Sequence, residues 1–165
     1  QTSTSKRSRL SKQMTRPSNY SSLLIYLGLC LATLAFGGLF TPGEWYQPVQ
    51  KAPRTPPNIA FPIVWSVLYL LIAIAGWRIA LAGATQLTRL WFVQLGLNAL
   101  WSFLFFGQEQ VTLALIDICI LSVVVAVMIR QSLQLKLSLV AGLLSPYLVW
   151  LILAGSLNAY IFFNN

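Results

Sequence analysis

Histidine is absent from this chain and acids are scarce: three Asp and Glu stand against eleven Lys and Arg. Without imidazole the usual axial ligand of haem iron and the usual proton shuttle near neutral pH are both missing, which argues against metal or haem-iron catalysis. No GxSxG or GxxxxGK run occurs, so neither a nucleophile elbow nor a phosphate-cradling loop is available. The two cysteines, Cys30 and Cys119, lie singly in hydrophobic runs with no CxxC neighbour. That pattern excludes a disulfide scaffold, a zinc site and a thiol redox motif, and reads as packing. Charge itself is the largest deficit: 8% of residues are charged, against roughly 25% in an ordinary soluble domain.

What fills the chain instead is apolar surface, 57% hydrophobic residues with a mean hydropathy of +0.71. This is the composition of a membrane protein. The net charge of +8 would suggest nucleic acid in a soluble domain, but five cations (Lys6, Arg7, Arg9, Lys12 and Arg16) sit in the first 16 residues. Nucleic-acid recognition needs a basic face with stacking aromatics or a groove-reading helix, whereas the aromatics here lie in uncharged runs. No nucleic-acid partner is expected. Residues 1–19 read as a disordered basic arm, drawn to anionic lipid or resembling an organellar transit peptide.

Residues 20–165 read as one all-α domain of five transmembrane helices, at 20–40, 61–79, 88–107, 111–129 and 137–163. Each run is long enough, at about 20 residues, to cross a hydrocarbon core of roughly 30 Å. Pro146 falls inside the last span, where a missing helical hydrogen bond predicts a kink. The basic arm, Arg78, Arg89, Arg130 and Lys136 fall on one side of the membrane, with only Lys51 and Arg54 on the other. The excess places the N-terminus in the cytoplasm, and the first loop and C-terminus on the opposite side of an integral, multi-pass protein. Short later loops predict an antiparallel up-and-down bundle with sequential spans adjacent.

Polar and aromatic residues then recur at helical spacing. In LWFVQLGLNALWSFLFFG of the third span, Gln94, Asn98, Trp101 with Ser102, and Phe105 share a face. Trp65 and Tyr69 are four apart in the second span, and Tyr147, Trp150, Ala154 and Asn158 form a broad stripe in the fifth. Taken singly, a Trp or Tyr reads as an interfacial anchor, and an Asn or Gln as a helix-to-helix hydrogen bond. Together they can line an apolar pocket with a few hydrogen-bonding groups, suited to a flat hydrophobic ligand. Asp117, the only acid embedded in a span, is expected to face inward in a structural role, partnered or protonated.

The run WY at 45–46, Lys51, PP at 56–57, FPIVW at 61–65, LY at 68–69, QLGLNALWSFLFF at 94–106, Asp117, and SPYLVW at 145–150 leading to LN at 157–158 resembles the translocator protein family. Members are also called tryptophan-rich sensory proteins or peripheral-type benzodiazepine receptors, and the match is to the bacterial type. The resemblance covers residues 25–164 and implies a five-helix membrane protein, often a homodimer, that binds protoporphyrin IX or a related tetrapyrrole. It requires no cofactor. In animals the ligands include cholesterol and isoquinoline carboxamides, but here SLNAYIFFNN has Leu157 and Tyr160 without the cation of the animal sterol motif. The family pocket carries over to Tyr46, Trp65, Asn98, Ser102, Trp150 and Ala154, and its fifth-span proline to Pro146. Tyr69, Trp101 and Tyr147 join that set from the faces described above, and Lys51 joins it from the first loop. The implied function is a stress-linked tetrapyrrole sensor, regulator or transporter. Alternatives are light-dependent porphyrin degradation, with Trp65 and Trp150 as the redox-active indoles, and transport of lipids or small solutes. The proline-rich stretch from Trp45 to Trp65 then reads as a lid: Pro48, Pro53, Pro56 and Pro57 stiffen an extended path over the bundle mouth. Lys51 or Arg54 would meet a ligand carboxylate there.

Overall fold

The computed structural model describes residues 19–165; the basic arm with Lys6, Arg7, Arg9, Lys12 and Arg16 lies outside the described residues. Five long helices carry the described chain: α1 Asn19–Gly38, α2 Ala60–Leu81, α3 Thr85–Ser102, α4 Val111–Gln134 and α5 Ser138–Asn164. All five are long and apolar enough to cross a membrane, α3 together with the π-helical turn Phe103–Gly107 that continues it. Among the described residues there is no strand. This is an all-α membrane bundle, and its architecture follows from solvent. In lipid every backbone N–H and C=O must be satisfied within the segment, which a helix does.

Hydroxyls inside the spans obey the same constraint. Thr33, Ser122, Ser132 and Ser145 each donate to the carbonyl four residues back, at 2.7–2.9 Å. Outward-facing Leu24, Ile25, Leu31, Val123, Val149 and Ile152 are exposed, as a lipid-facing surface requires. Gly28 and Ala32 also lie on the outer side of α1.

The three short connections share one device, a single residue in the left-handed region: Gly83 at φ 67°, Glu109 at 56° and Lys136 at 59°. After α2, the Gly83 N–H donates to Ala80 O and the Ala84 N–H to Ile79 O. After α4, Lys136 and Leu137 repeat the pattern onto Leu133 O and Ser132 O. These bonds close off the carbonyls left open at the helix ends. Glycine alone adopts such a φ without strain, which suits Gly83 to its place.

Around the bundle the helices follow the order α1, α2, α5, α4, α3. The most extensive interface is α4 with α5, followed by α1 with α2 and α3 with α4; α2 also packs on α5, and α1 on α3. Sequential adjacency therefore holds for three of the four neighbouring pairs, but α2 and α3 touch only lightly. The short turn at 82–84 fixes only their adjoining ends. Farther along, the fully buried Trp91 of α3 reaches α2, its Nε1 donating to Ile72 O at 2.9 Å. Gly76 makes this possible: a Cβ there would stand 2.5 Å from the Trp91 ring and 2.7 Å from Tyr26 of α1. Three helices thus meet over one glycine.

Candidate functional site

Trp65 sits in the second turn of α2 and gathers the aromatic residues of α2 and α5. Its ring centroid lies 5.6 Å from Tyr69, 6.4 Å from Tyr147 and 6.4 Å from Trp150, the last at 90°. Phe61 meets Trp150 at 5.6 Å, edge to face. Such edge contacts place the positive rim of one ring on the negative face of the next.

Hydrogen bonds tie this wall to α3. Tyr69 Oη donates to Asn98 Oδ1 at 2.9 Å, Asn98 Nδ2 donates to Tyr147 Oη at 2.7 Å, and Tyr147 Oη donates to Gln94 Oε1 at 2.9 Å. All four residues are buried, so the chain of bonds runs through a medium where each is strong and each loss is costly. Two donors are left over: Gln94 Nε2 and Trp150 Nε1 are buried without a hydrogen-bond partner. The site therefore offers unsatisfied N–H groups beside a broad apolar wall, the arrangement that accepts a carbonyl or carboxylate attached to a flat ring system.

A second layer lies toward the first loop. Trp101 stacks on Phe105 at 5.2 Å and 15°, and its Nε1 donates to Asn158 Oδ1 at 3.2 Å. Asn158 Nδ2 in turn donates to Val111 O, joining α3, α4 and α5. Ser102 is separate from both layers, with its Oγ 3.3 Å from where a Cβ on Gly37 of α1 would be. Ala154 is in the core. Asp117 is 4% exposed on the inner side of α4, and both its carboxylate oxygens are buried without a hydrogen-bond partner. The side chain faces inward as expected, and of the two expected states, partnered or protonated, no partner is present among the described residues.

Above these layers the segment 39–59 folds onto the bundle. A single 3-10 turn, Glu44–Tyr46, sets Trp45 5.8 Å from Phe105 and Tyr46 5.7 Å from Phe106. Burial pushes the Tyr46 hydroxyl pKa above its ordinary value, so the ring stays neutral. Lys51 Nζ donates to Tyr46 O at 2.6 Å, lies within 3.4 Å of Gln47 O and Val49 O, and stands 4.3 Å from the Tyr46 ring centroid. The ammonium is thus engaged by the loop's own carbonyls, while Arg54 is exposed. Pro57 O accepts from the Ala60 N–H where α2 begins, and Pro56 is half-buried beside it. Gln50 exchanges backbone-to-amide bonds with Asn165, pinning the loop to the end of α5.

On the outer face, α2 and α5 enclose a groove of about 420 Å³ whose walls include Val64, Val67, Leu71, Pro146, Trp150 and Leu153. Trp150 thus belongs both to this groove and to the interior wall. α5 runs on through Pro146 as a single helix. Gln94 and Asn158, expected on the lining faces, take part through their hydrogen bonds, and Phe61 joins them although no sequence pattern assigned it to the site. Among the described residues no three His, Cys, Asp or Glu side chains gather as a metal site would need.

Residues 26–163 match the TspO/MBR family. The chain is 37% identical over 145 residues to the Tryptophan-rich protein TspO of Archaeoglobus fulgidus, covering 83% of this chain and 93% of that one. It is 34% identical over 140 residues to Protein CrtK of Rhodobacter capsulatus, covering 81% and 86%. To the human Translocator protein it is 33% identical over 138 residues, covering 78% and 81%.

Proposed function

The chain belongs to the TspO/MBR family, and from that premise we propose that it binds a tetrapyrrole, such as protoporphyrin IX, within the bundle and acts as a membrane sensor or transporter of that ligand. One arrangement carries the reading. The Trp65, Tyr69, Tyr147 and Trp150 wall supplies apolar contact for a macrocycle, and the two open donors, Gln94 Nε2 and Trp150 Nε1, supply what a propionate-like acceptor needs. The segment 39–59 acts as the cover, held closed by Lys51. The chain works as a homodimer with this cover outside the cytoplasm, in keeping with the charge distribution along the sequence.

Titration of the purified protein with protoporphyrin IX, read by tryptophan fluorescence, tests this. Saturable quenching is expected, weakened roughly tenfold in Trp65→Phe with Trp150→Phe, because two rings of one wall are reduced in area and an N–H donor is removed. Absence of saturation, or an unchanged curve in the double variant, refutes the reading.

The perpendicular contact between Trp65 and Trp150 also favours a second one. An indole in contact with a photoexcited porphyrin can exchange an electron with it, dioxygen serving as terminal oxidant, so that illumination consumes the ligand. A new absorbing product formed in light and lost in the same double variant distinguishes degradation from binding alone.

A further inference from the structure

The bundle end remote from the first loop carries a cavity that the tetrapyrrole reading does not use. It measures about 360 Å³ and forms where the end of α2 meets the start of α5; Arg78, Leu81, Lys136, Ser138, Leu139 and Val140 are among its walls. We propose that this cavity is a binding site for the phosphate headgroup of an anionic glycerophospholipid.

Charge is the first argument. Arg78 lies in the last turn of α2 and Lys136 in the turn between α4 and α5, and neither side chain makes a hydrogen bond or ion pair with a described residue. Neither has an acid within reach. The three acids of the whole chain are Glu44 in the first loop and Glu109 in the α3 to α4 turn, both at the opposite end, and Asp117 inside α4. Two cations therefore face one concavity with no counter-charge, a placement that attracts an anion instead of an internal partner.

Backbone geometry adds donors to the same place. Ser138, Leu139 and Val140 form the first turn of the 27-residue α5, and Leu137 before them provides no side-chain cap. Their N–H groups have no helical acceptor, and the Ser138 hydroxyl stands beside them.

Position selects the source of the phosphate. The cavity lies at the ends of membrane-spanning helices, where lipid headgroups reside. Its polar wall continues into exposed Leu81 and Leu139, with Leu133 and Leu135 close by in the chain. A soluble phosphate would use the cations and leave this apolar shoulder bare, whereas a phospholipid covers it with its glycerol backbone and upper chain. Such a lipid ties α2 to α5 at this end, far from the aromatic wall that joins them deeper in the bundle.

The test is native mass spectrometry of the full chain released from vesicles of equimolar phosphatidylcholine and phosphatidylglycerol. One phosphatidylglycerol per protomer is expected to be retained. Arg78→Gln with Lys136→Gln should lower its retention roughly tenfold, whereas Arg89→Gln with Arg130→Gln, which removes as much charge from the same end outside the cavity, should change it less than about twofold. Equal loss in both pairs, or equal retention of phosphatidylcholine, overturns the site. Displacement by millimolar inorganic phosphate overturns the lipid assignment in favour of a free anion. Should the first pair fail to fold by circular dichroism, the single variants carry the same test: each should lose part of the retention, and full retention in either overturns the proposal. Protoporphyrin binding by the first pair should stay intact, so failure here leaves the tetrapyrrole reading standing and the reverse.

Discussion

Replacing Gly76 with alanine should damage this protein more than any other glycine-to-alanine change at a position with ordinary helical backbone. The added Cβ would stand 2.5 Å from both Cε2 and Nε1 of Trp91 and 2.7 Å from Cδ1 of Tyr26. Real Cβ atoms do not approach that closely, so something must move. Neither neighbour is a loose side-chain end. Trp91 is fully buried and donates to Ile72 O, and Tyr26 meets its ring at 4.8 Å, edge to face. Overpacking of this kind costs about 1–3 kcal/mol, and leaving the indole N–H unpaired costs about 1–3 kcal/mol more. Alanine returns about 1 kcal/mol through helix propensity, leaving a net loss of about 1–5 kcal/mol, centred near 3. Thermal unfolding in detergent, followed by intrinsic fluorescence, should show a fall in Tm of roughly 5–10 °C. Gly28→Ala and Gly142→Ala are the controls, since nothing lies within 4 Å of a Cβ at either position; both should be neutral or stabilising. If Gly76→Ala melts with the wild type, the account of α1, α2 and α3 meeting over one glycine is refuted.

Tyr147→Phe removes one hydroxyl from two hydrogen bonds, stranding Asn98 Nδ2 and Gln94 Oε1 in the core. A loss of about 2–3 kcal/mol is expected, read as a lower Tm, and an unchanged Tm would mean the bond chain adds nothing. Lys51→Met keeps the length of the side chain but removes its donors to the Tyr46, Gln47 and Val49 carbonyls. Limited proteolysis should then cut within residues 41–58 several-fold faster while the far-UV spectrum stays helical; equal cutting rates would show that the ammonium does not hold the loop.

The five spans were legible because a lipid solvent demands runs of about 20 apolar residues, and the sequence has five. Their order around the bundle was not. A short turn constrains only the ends it joins, so the link at 82–84 left α2 free to lean on α1 and α5 instead of α3. The site was legible as stripes, since Asn98 and Tyr147 stand at helical spacing from other polar residues, but their pairing across 49 positions depends on packing that no local pattern encodes. Ser102 makes the limit concrete. It lies four residues from Asn98, yet at a helix surrounded on several sides the stripe is broad enough for Ser102 to face Gly37 while Trp101 reaches Asn158. For Lys51 or Arg54 the sequence suggested a meeting with a ligand carboxylate, and the loop carbonyls that surround Lys51 have no counterpart in that pattern. The 3-10 turn beside it, too local for any periodicity to announce, brings those carbonyls within reach.

The placing of α5 between α2 and α4 has a consequence for biogenesis. Trp65 and Tyr69 enter the bilayer with the second span, but their partners Tyr147 and Trp150 arrive only with the last. At roughly 5–20 residues per second of synthesis, the polar hydroxyl of Tyr69 and the indole of Trp65 wait several seconds in the membrane for the wall that covers them. Asn98 arrives earlier, and its bond to Tyr69 gives α2 and α3 a provisional hold on each other across their otherwise slight contact. The residues of the aromatic wall and its bond chain thus also serve as the clasp of a half-made protein, so a variant that removes them is expected to show its first defect in insertion yield.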